Sequence, residues 1–206
     1  ACHNDATATL GTVTFPSGVT VDKLGGEAIC MTCHQGRESG DSVTAALAGF
    51  DDDEVSDKLR FINVHYFAAG ATLMGSVARG AYQYPDKSYV GQSMHFEPYS
   101  TCISCHDMHE TKVRVDECVA CHRGVTDEAS LRAIRSGRDK TDYDGDGDTT
   151  EGIAGEVSGL HGLLYAAIQT YAASVAGTPV IYDAHSYPYF FIDSNGNGAA
   201  DAGEVS

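Results

Sequence analysis

Three pentapeptides share one pattern: CMTCH from Cys30 to His34, CISCH from Cys102 to His106, and CVACH from Cys118 to His122. Two thiols three residues apart serve as a redox dithiol or as half of a zinc site, and the pairs 102/105 and 118/121 have nearly the spacing of a zinc ribbon. The next residue separates these readings from a third. A histidine after every pair is the mark of covalent c-type haem attachment. Two cysteines about one helical turn apart each add to a vinyl group on one porphyrin edge, and the histidine swings beneath the ring to give iron its proximal nitrogen. A zinc ribbon has no need of a histidine after every pair.

The opening residues Ala1-Cys2-His3 match the end of the same pattern, and half a motif plus three pairs accounts for all seven cysteines. The sequence therefore predicts four haems. Covalent attachment falls on Cys2, Cys30, Cys33, Cys102, Cys105, Cys118 and Cys121, and proximal ligation on His3, His34, His106 and His122. A further cysteine is expected two residues ahead of Ala1.

Five of the nine histidines remain: His65, His95, His109, His161 and His185. A low-spin electron carrier needs a second axial ligand on each iron, commonly His or Met, and five candidates suffice for four irons. His109 follows His106 by three residues, too close to reach the opposite face of the same iron, so it is expected to serve a neighbouring haem. His65 is expected on a helix with Phe61, Val64, Ala68 and Ala69, and His95 precedes the CISCH motif by seven residues, with Met94 beside it as an alternative thioether. His185, in the aromatic run YDAHSYPYFFID, is preferred over His161 for the fourth place.

The elements that must position these groups are read as helix and loop, with few and short β-patterned runs. From 156 to 174, Leu160, Leu163, Leu164, Ala167, Ile168 and Tyr171 follow the helical period. Residues 157–182 carry no charge, yet polar side chains interrupt them and no Lys or Arg flanks them. A helix buried against protein or cofactor is expected there, not a membrane span. Thr126 is expected to cap a helix over DEASLRAIRS. The fold class expected is mainly α with extensive loops, packed on haem in place of a conventional side-chain core. It forms a single domain over 1–206, with a haem-attachment part (1–125) and a helix and acidic-loop part (126–206).

A formal charge of −16 argues against a nucleic-acid surface and an anionic-membrane surface. It suits cationic or metal-bearing partners. Two acidic loops fit that charge. DSNGNGAADAGE places Asp193, Asn195, Asn197, Asp201 and Glu204 at positions 1, 3, 5, 9 and 12 of a calcium loop. DYDGDGDTTEG supplies Asp142, Asp144, Asp146 and Asp148, but position 12 is Ile153, so Glu151 or Glu156 would have to reach in. The bland alternative at both is a solvated acidic turn.

The run NVHYFAAGATLMGSVARGAYQYPDKSYVGQSMHFEPYSTCISCHDMHE resembles outer-surface multihaem c-type cytochromes of metal-reducing microbes. Four haems in about two hundred residues resembles the tetrahaem type that polymerises into extracellular filaments, the OmcE-like nanowires, and YPYFFIDSNGNGAADAGE is similar to a segment of such proteins. The resemblance covers most of 1–122 and the last twenty-five residues. It implies bis-histidine haems in a continuous stack, with His65, His95 and His109 as distal ligands, and one axial histidine that crosses between copies of the chain. The function expected is electron transfer along the haem chain in an extracellular homopolymer, passing electrons to redox partners or metal oxides. A soluble periplasmic tetrahaem shuttle is the first alternative, and a multihaem reductase enzyme the second. The reductase needs an iron with an open position, and no C-x-x-C-K variant reserves one.

Overall fold

The computed structural model describes residues 3–65 and 67–204; Cys2, one of the expected attachment residues, lies outside them. Helix and loop dominate, with three two-stranded antiparallel ladders as the described sheet structure. The chain divides into two compact units, one holding the residues up to Phe50 together with Asp57–Arg114, the other holding Asp51–Ser56 and the chain from Val115 onward.

The first unit contains helices α1 (Asp5–Ala8), α2 (Glu27–His34), α3 (Gly40–Ala46), α4 (Ala69–Met74) and α5 (Cys102–Cys105), with strands β1 (Val13–Thr14), β2 (Thr20–Val21), β3 (His106–Asp107) and β4 (Lys112–Val113). Short capping boxes start the small helices. Asn4 accepts from the Thr7 N–H before α1, and Ser39 accepts from the Ser42 N–H before α3, each satisfying a donor with no partner inside the helix. The core is small: Val13, Phe15, Ala28, Met31, Ala71, Met74 and Ala78. Helix α4 approaches the end of α2 so closely that a Cβ on Gly70 would stand 2.9 Å from the His34 carbonyl oxygen. Gly75 ends α4 at φ +54°, where a Cβ would meet the Gly91 carbonyl oxygen.

The second unit holds α6 (Val115–Val119), a 3-10 turn (Ser130–Ala133), the 22-residue helix α7 (Ile153–Ser174), and the ladder of β5 (Val180–Tyr182) with β6 (Phe190–Ile192), in which Ile181 faces Phe191. Helix α7 lies where the periodicity predicts it, but its apolar stripe is not covered by protein: Leu163 and Leu164 are 57% and 59% exposed. Its buried residues are Glu156 and Ala172. Among the described residues no helix is long and apolar enough to cross a membrane.

Two local expectations are corrected. The helix over DEASLRAIRS shrinks to the 3-10 turn, and its capping carboxylate is Asp127, which accepts from the Ser130 N–H at 2.8 Å. Ser130 Oγ in turn accepts from the N–H groups of Thr126 and Asp127, a closed local set that competes with helix propagation. His65 is not helical; it sits at φ +74° in the loop that enters α4. The Asn63 side chain there accepts from the His65 N–H, an Asx turn that favours the loop conformation.

Candidate haem-binding and metal-binding residues

The described cysteine pairs stand on single helical turns. Cys30 and Cys33 occupy the last turn of α2, Cys102 and Cys105 span α5, and Cys118 lies in α6. After α6 the chain stays tightly wound, as the Cys118 carbonyl accepts from both the Cys121 and His122 N–H groups. One turn separates the two sulfurs in each case, the spacing that two vinyl groups on one porphyrin edge require. Cys33 and Cys121 are exposed, and Cys30, Cys102, Cys105 and Cys118 half-buried.

Helices α2 and α5 are brought together in the first unit. The Cys102 N–H donates to the Glu27 carboxylate at 2.5 Å. Burial pushes the Cys102 thiol up to about 12, and the Glu27 carboxylate and Cys30 push the same way. A thiol held protonated in this manner is a poor free nucleophile or redox dithiol.

Histidine chemistry fits the group that the motifs call for. The Nδ1 of His34 lies 2.6 Å from the Phe67 carbonyl oxygen. A carbonyl only accepts, so Nδ1 carries the proton and Nε2 keeps the lone pair, the arrangement usual for a metal-ligating imidazole. His95 shows the same pattern, with Nδ1 at 3.3 Å from the Phe96 carbonyl oxygen. His106 begins β3 and pairs with Val113 in the short hairpin, and the Asp107 carboxylate accepts from the N–H groups of His109 and Glu110. His109 is thereby presented from the hairpin turn, where its ring stands 6.2 Å from that of His3 at an interplanar angle of 26°.

Apolar side chains surround the motifs without being buried. Ile103, Met108, Val119, Phe67, Met94 and Phe96 are all exposed, Phe96 by 82%. So much uncovered apolar area is unusual for a chain packed only on itself, and it suits a large flat apolar ligand. His161 lies on the exposed side of α7, and His185 is exposed in the β5–β6 hairpin, its N–H bound to the Asp183 carboxylate.

In the first acidic loop, carboxylate oxygens of Asp142, Asp144 and Asp146 gather within 4.8 Å of one another, as do those of Asp144, Glu151 and Glu156. Glu151 and Glu156 thus reach in where Ile153 stands at position 12. Glu156 is almost completely buried and is held by Arg135 at 2.5 Å and by the N–H groups of Tyr143 and Asp144. Those contacts, Arg135 first, lower its carboxyl below the ordinary range. Glu151 is the opposite case: its Oε1 is buried without a hydrogen-bond partner. Burial, and then the charges of Asp144, Asp146, Glu156 and Asp148, raise its carboxyl. Asp148 is instead turned to Thr150.

The second loop is organised differently. The Asn195 and Asn197 amides both donate to Asp201, Asp193 accepts from the Asn197 and Gly198 N–H groups, and Glu204 accepts from the Ser194 and Asp201 N–H groups. Its carboxylates form no cluster of three among the described residues.

The chain is similar to two curated proteins of Geobacter sulfurreducens. It is 26% identical over 219 residues to the C-type polyheme cytochrome OmcB, covering 97% of this chain and 25% of that protein. It is 30% identical over 223 residues to the C-type polyheme cytochrome OmcC, covering 95% of this chain and 25% of that protein. The chain is homologous to these polyhaem c-type cytochromes over nearly all of its own length, and spans about a quarter of theirs. No family model and no solved structure matches it.

Proposed function

We propose that this chain carries electrons through four covalently attached c-type haems. They are attached at Cys2, at Cys30 and Cys33, at Cys102 and Cys105, and at Cys118 and Cys121. His3, His34, His106 and His122 are the proximal ligands; His65, His95, His109 and His185 complete the irons, with His161 the alternative to His185. The observation that carries the reading is the coincidence of each described C-x-x-C pair with one tight turn that ends at a histidine, in a chain homologous to polyhaem cytochromes.

A bound haem supplies a one-electron iron couple whose potential follows axial ligands, hydrogen bonds and burial. The chain's own part is positional. The Phe67 carbonyl fixes the His34 tautomer and makes its Nε2 a better donor. Phe67, Phe96, Met94 and Ile103 offer apolar surface that excludes water from a porphyrin face. With a histidine available for every iron, no open coordination site is reserved for substrate.

The intact mass of the haem-loaded protein tests this reading, and four covalent haems are the expected count. An electron paramagnetic resonance spectrum of the oxidised protein should contain only low-spin haem; a high-spin signal would favour the reductase reading. For the assembly we take a filament of identical copies outside the cell, supported by the resemblance of four haems in about two hundred residues to the filament-forming tetrahaem type and by the uncovered stripe of α7. Negative-stain images of purified protein should contain filaments, whereas dispersed particles under all conditions would support the periplasmic shuttle.

Calcium is proposed at both acidic loops, through Asp142, Asp144, Asp146 and Glu151 in the first and Asp193, Asn195, Asn197, Asp201 and Glu204 in the second. The unpartnered Glu151 oxygen supports the first, since a buried carboxylate oxygen without a donor is costly unless a cation satisfies it. Calorimetric titration of calcium into chelated protein should give a binding isotherm, and a flat trace would dismiss both sites.

A further inference from the structure

Resting on the haem reading above, we propose that Glu27 clasps two haem-attachment turns together, so that the haems of the CMTCH and CISCH motifs are direct neighbours in the electron path. The two motifs lie far apart in the chain, but one carboxylate serves both. Glu27 opens α2, the helix that carries Cys30, Cys33 and His34. Its Oε1 accepts from the Cys102 N–H, 75 residues further on, at 2.5 Å. Cys102 is the first residue of α5, which ends at Cys105 and is followed by His106.

The faces of α2 explain the meeting. Residues three apart lie side by side on a helix. Ala28 and Met31 form the stripe buried in the apolar core, and Glu27 and Cys30 form the stripe next to it. That second stripe meets α5. The half-buried Cys102 thiol is pushed up by burial first, and then by Glu27 and Cys30. The leading cysteines of the two motifs are thus brought together, each holding one edge of its own porphyrin.

The bond suits a permanent clasp. As the first N–H of a helical turn, the Cys102 donor has no acceptor within that turn. An ionised carboxylate is the strongest acceptor the chain can offer it. The bond uses the backbone of Cys102 and not its sulfur, so it does not compete with thioether formation.

The test uses the haem-loaded chain. In the reduced, diamagnetic protein, protons of the porphyrin on Cys30 and Cys33 should show nuclear Overhauser contacts to protons of the porphyrin on Cys102 and Cys105. Absence of such contacts would overturn the pairing. Glu27→Gln keeps an acceptor oxygen for the Cys102 N–H but removes the charge. A negative charge near an iron couple favours the oxidised state, so the potentials of these two haems should both rise while the other two stay in place. A shift confined to one haem, spread over all four, or absent would overturn the shared position of Glu27. Glu27→Ala removes the acceptor as well. Exchange of the Cys102 amide hydrogen should then quicken by about tenfold, the loss expected of one hydrogen bond to a charged group, and Gln should restore part of the protection. Unchanged exchange in the Ala variant would dismiss the clasp. Failure of the underlying reading looks different, because the intact mass would then lack covalent haem altogether.

Discussion

The two units hold a loop-rich chain in place by different means. In the first, a small apolar cluster around Phe15 and Met31 packs α2 against α4 and so sets the turn that carries Cys30, Cys33 and His34. In the second, the most buried large side chain is Glu156, paired with Arg135, and the long helix α7 leaves its leucines outside. An apolar cluster is non-directional and tolerates small shifts. A buried ion pair demands full hydrogen bonding, and loses heavily when one partner goes. The first unit should therefore degrade gradually under mutation, and the second abruptly.

The sharpest way to break that contrast is Arg135→Ala. Glu156 would then be a buried charge without its cation, and hydrogen exchange should show loss of protection over the 139–156 loop and the first turns of α7, with the first unit's amides unaffected. Acid should act at the same place. The Glu156 carboxyl is lowered in the folded chain, so its contribution is full above its unfolded value of 4.5 and is lost as pH falls through the lower folded value. Phe15→Ala should cost the first unit about 3–5 kcal/mol in denaturant unfolding, as expected for a fully buried aromatic.

Calcium sharpens the comparison further. At a free concentration a hundredfold above its dissociation constant, calcium at the first loop should stabilise the second unit by about 2.7 kcal/mol, and Glu151→Gln should remove most of that increment while raising the stability of the calcium-free protein. Gly75→Ala should cost the first unit more than about 1 kcal/mol in the same unfolding assay, because its positive φ and the Gly91 carbonyl leave a side chain no unstrained place. The smallest effect belongs to the exposed Lys112–Glu110 pair, 3.0 Å apart. Reversing both charges should change stability by less than about 0.5 kcal/mol in a thermal melt.

Much of the candidate site was legible in the chain because its grammar is local. A C-x-x-C-H run needs one turn and one following residue, and the tight turns at α2, α5 and α6 are short-range structures. The same holds for α7, whose 3.6-residue period survives even though no protein covers its stripe. Legibility failed where local competition decides. His65 has the apolar neighbours of a helix, but the Asn63 side chain captures its N–H and turns the backbone to positive φ. Around Ser130, a closed set of side-chain bonds stops a helix after one turn. In the acidic loops the second had the better ligand order, yet the first gathers the carboxylates, because Arg135 draws Glu156 inward from the first turn of α7 and Glu151 lies just ahead of that helix.

The sequence by itself determined which atoms can take part: seven thiols, nine imidazoles, two runs of acidic oxygens and a strongly negative net charge. Tertiary structure alone decided which of them meet. That Glu27 reaches the Cys102 backbone, that Phe67 fixes His34, and that His3 stands opposite His109 depends on contacts between positions 33 to 106 residues apart. Such contacts form only once packing has offset the entropy of closing long loops, and nothing in the local spacing of a motif encodes them.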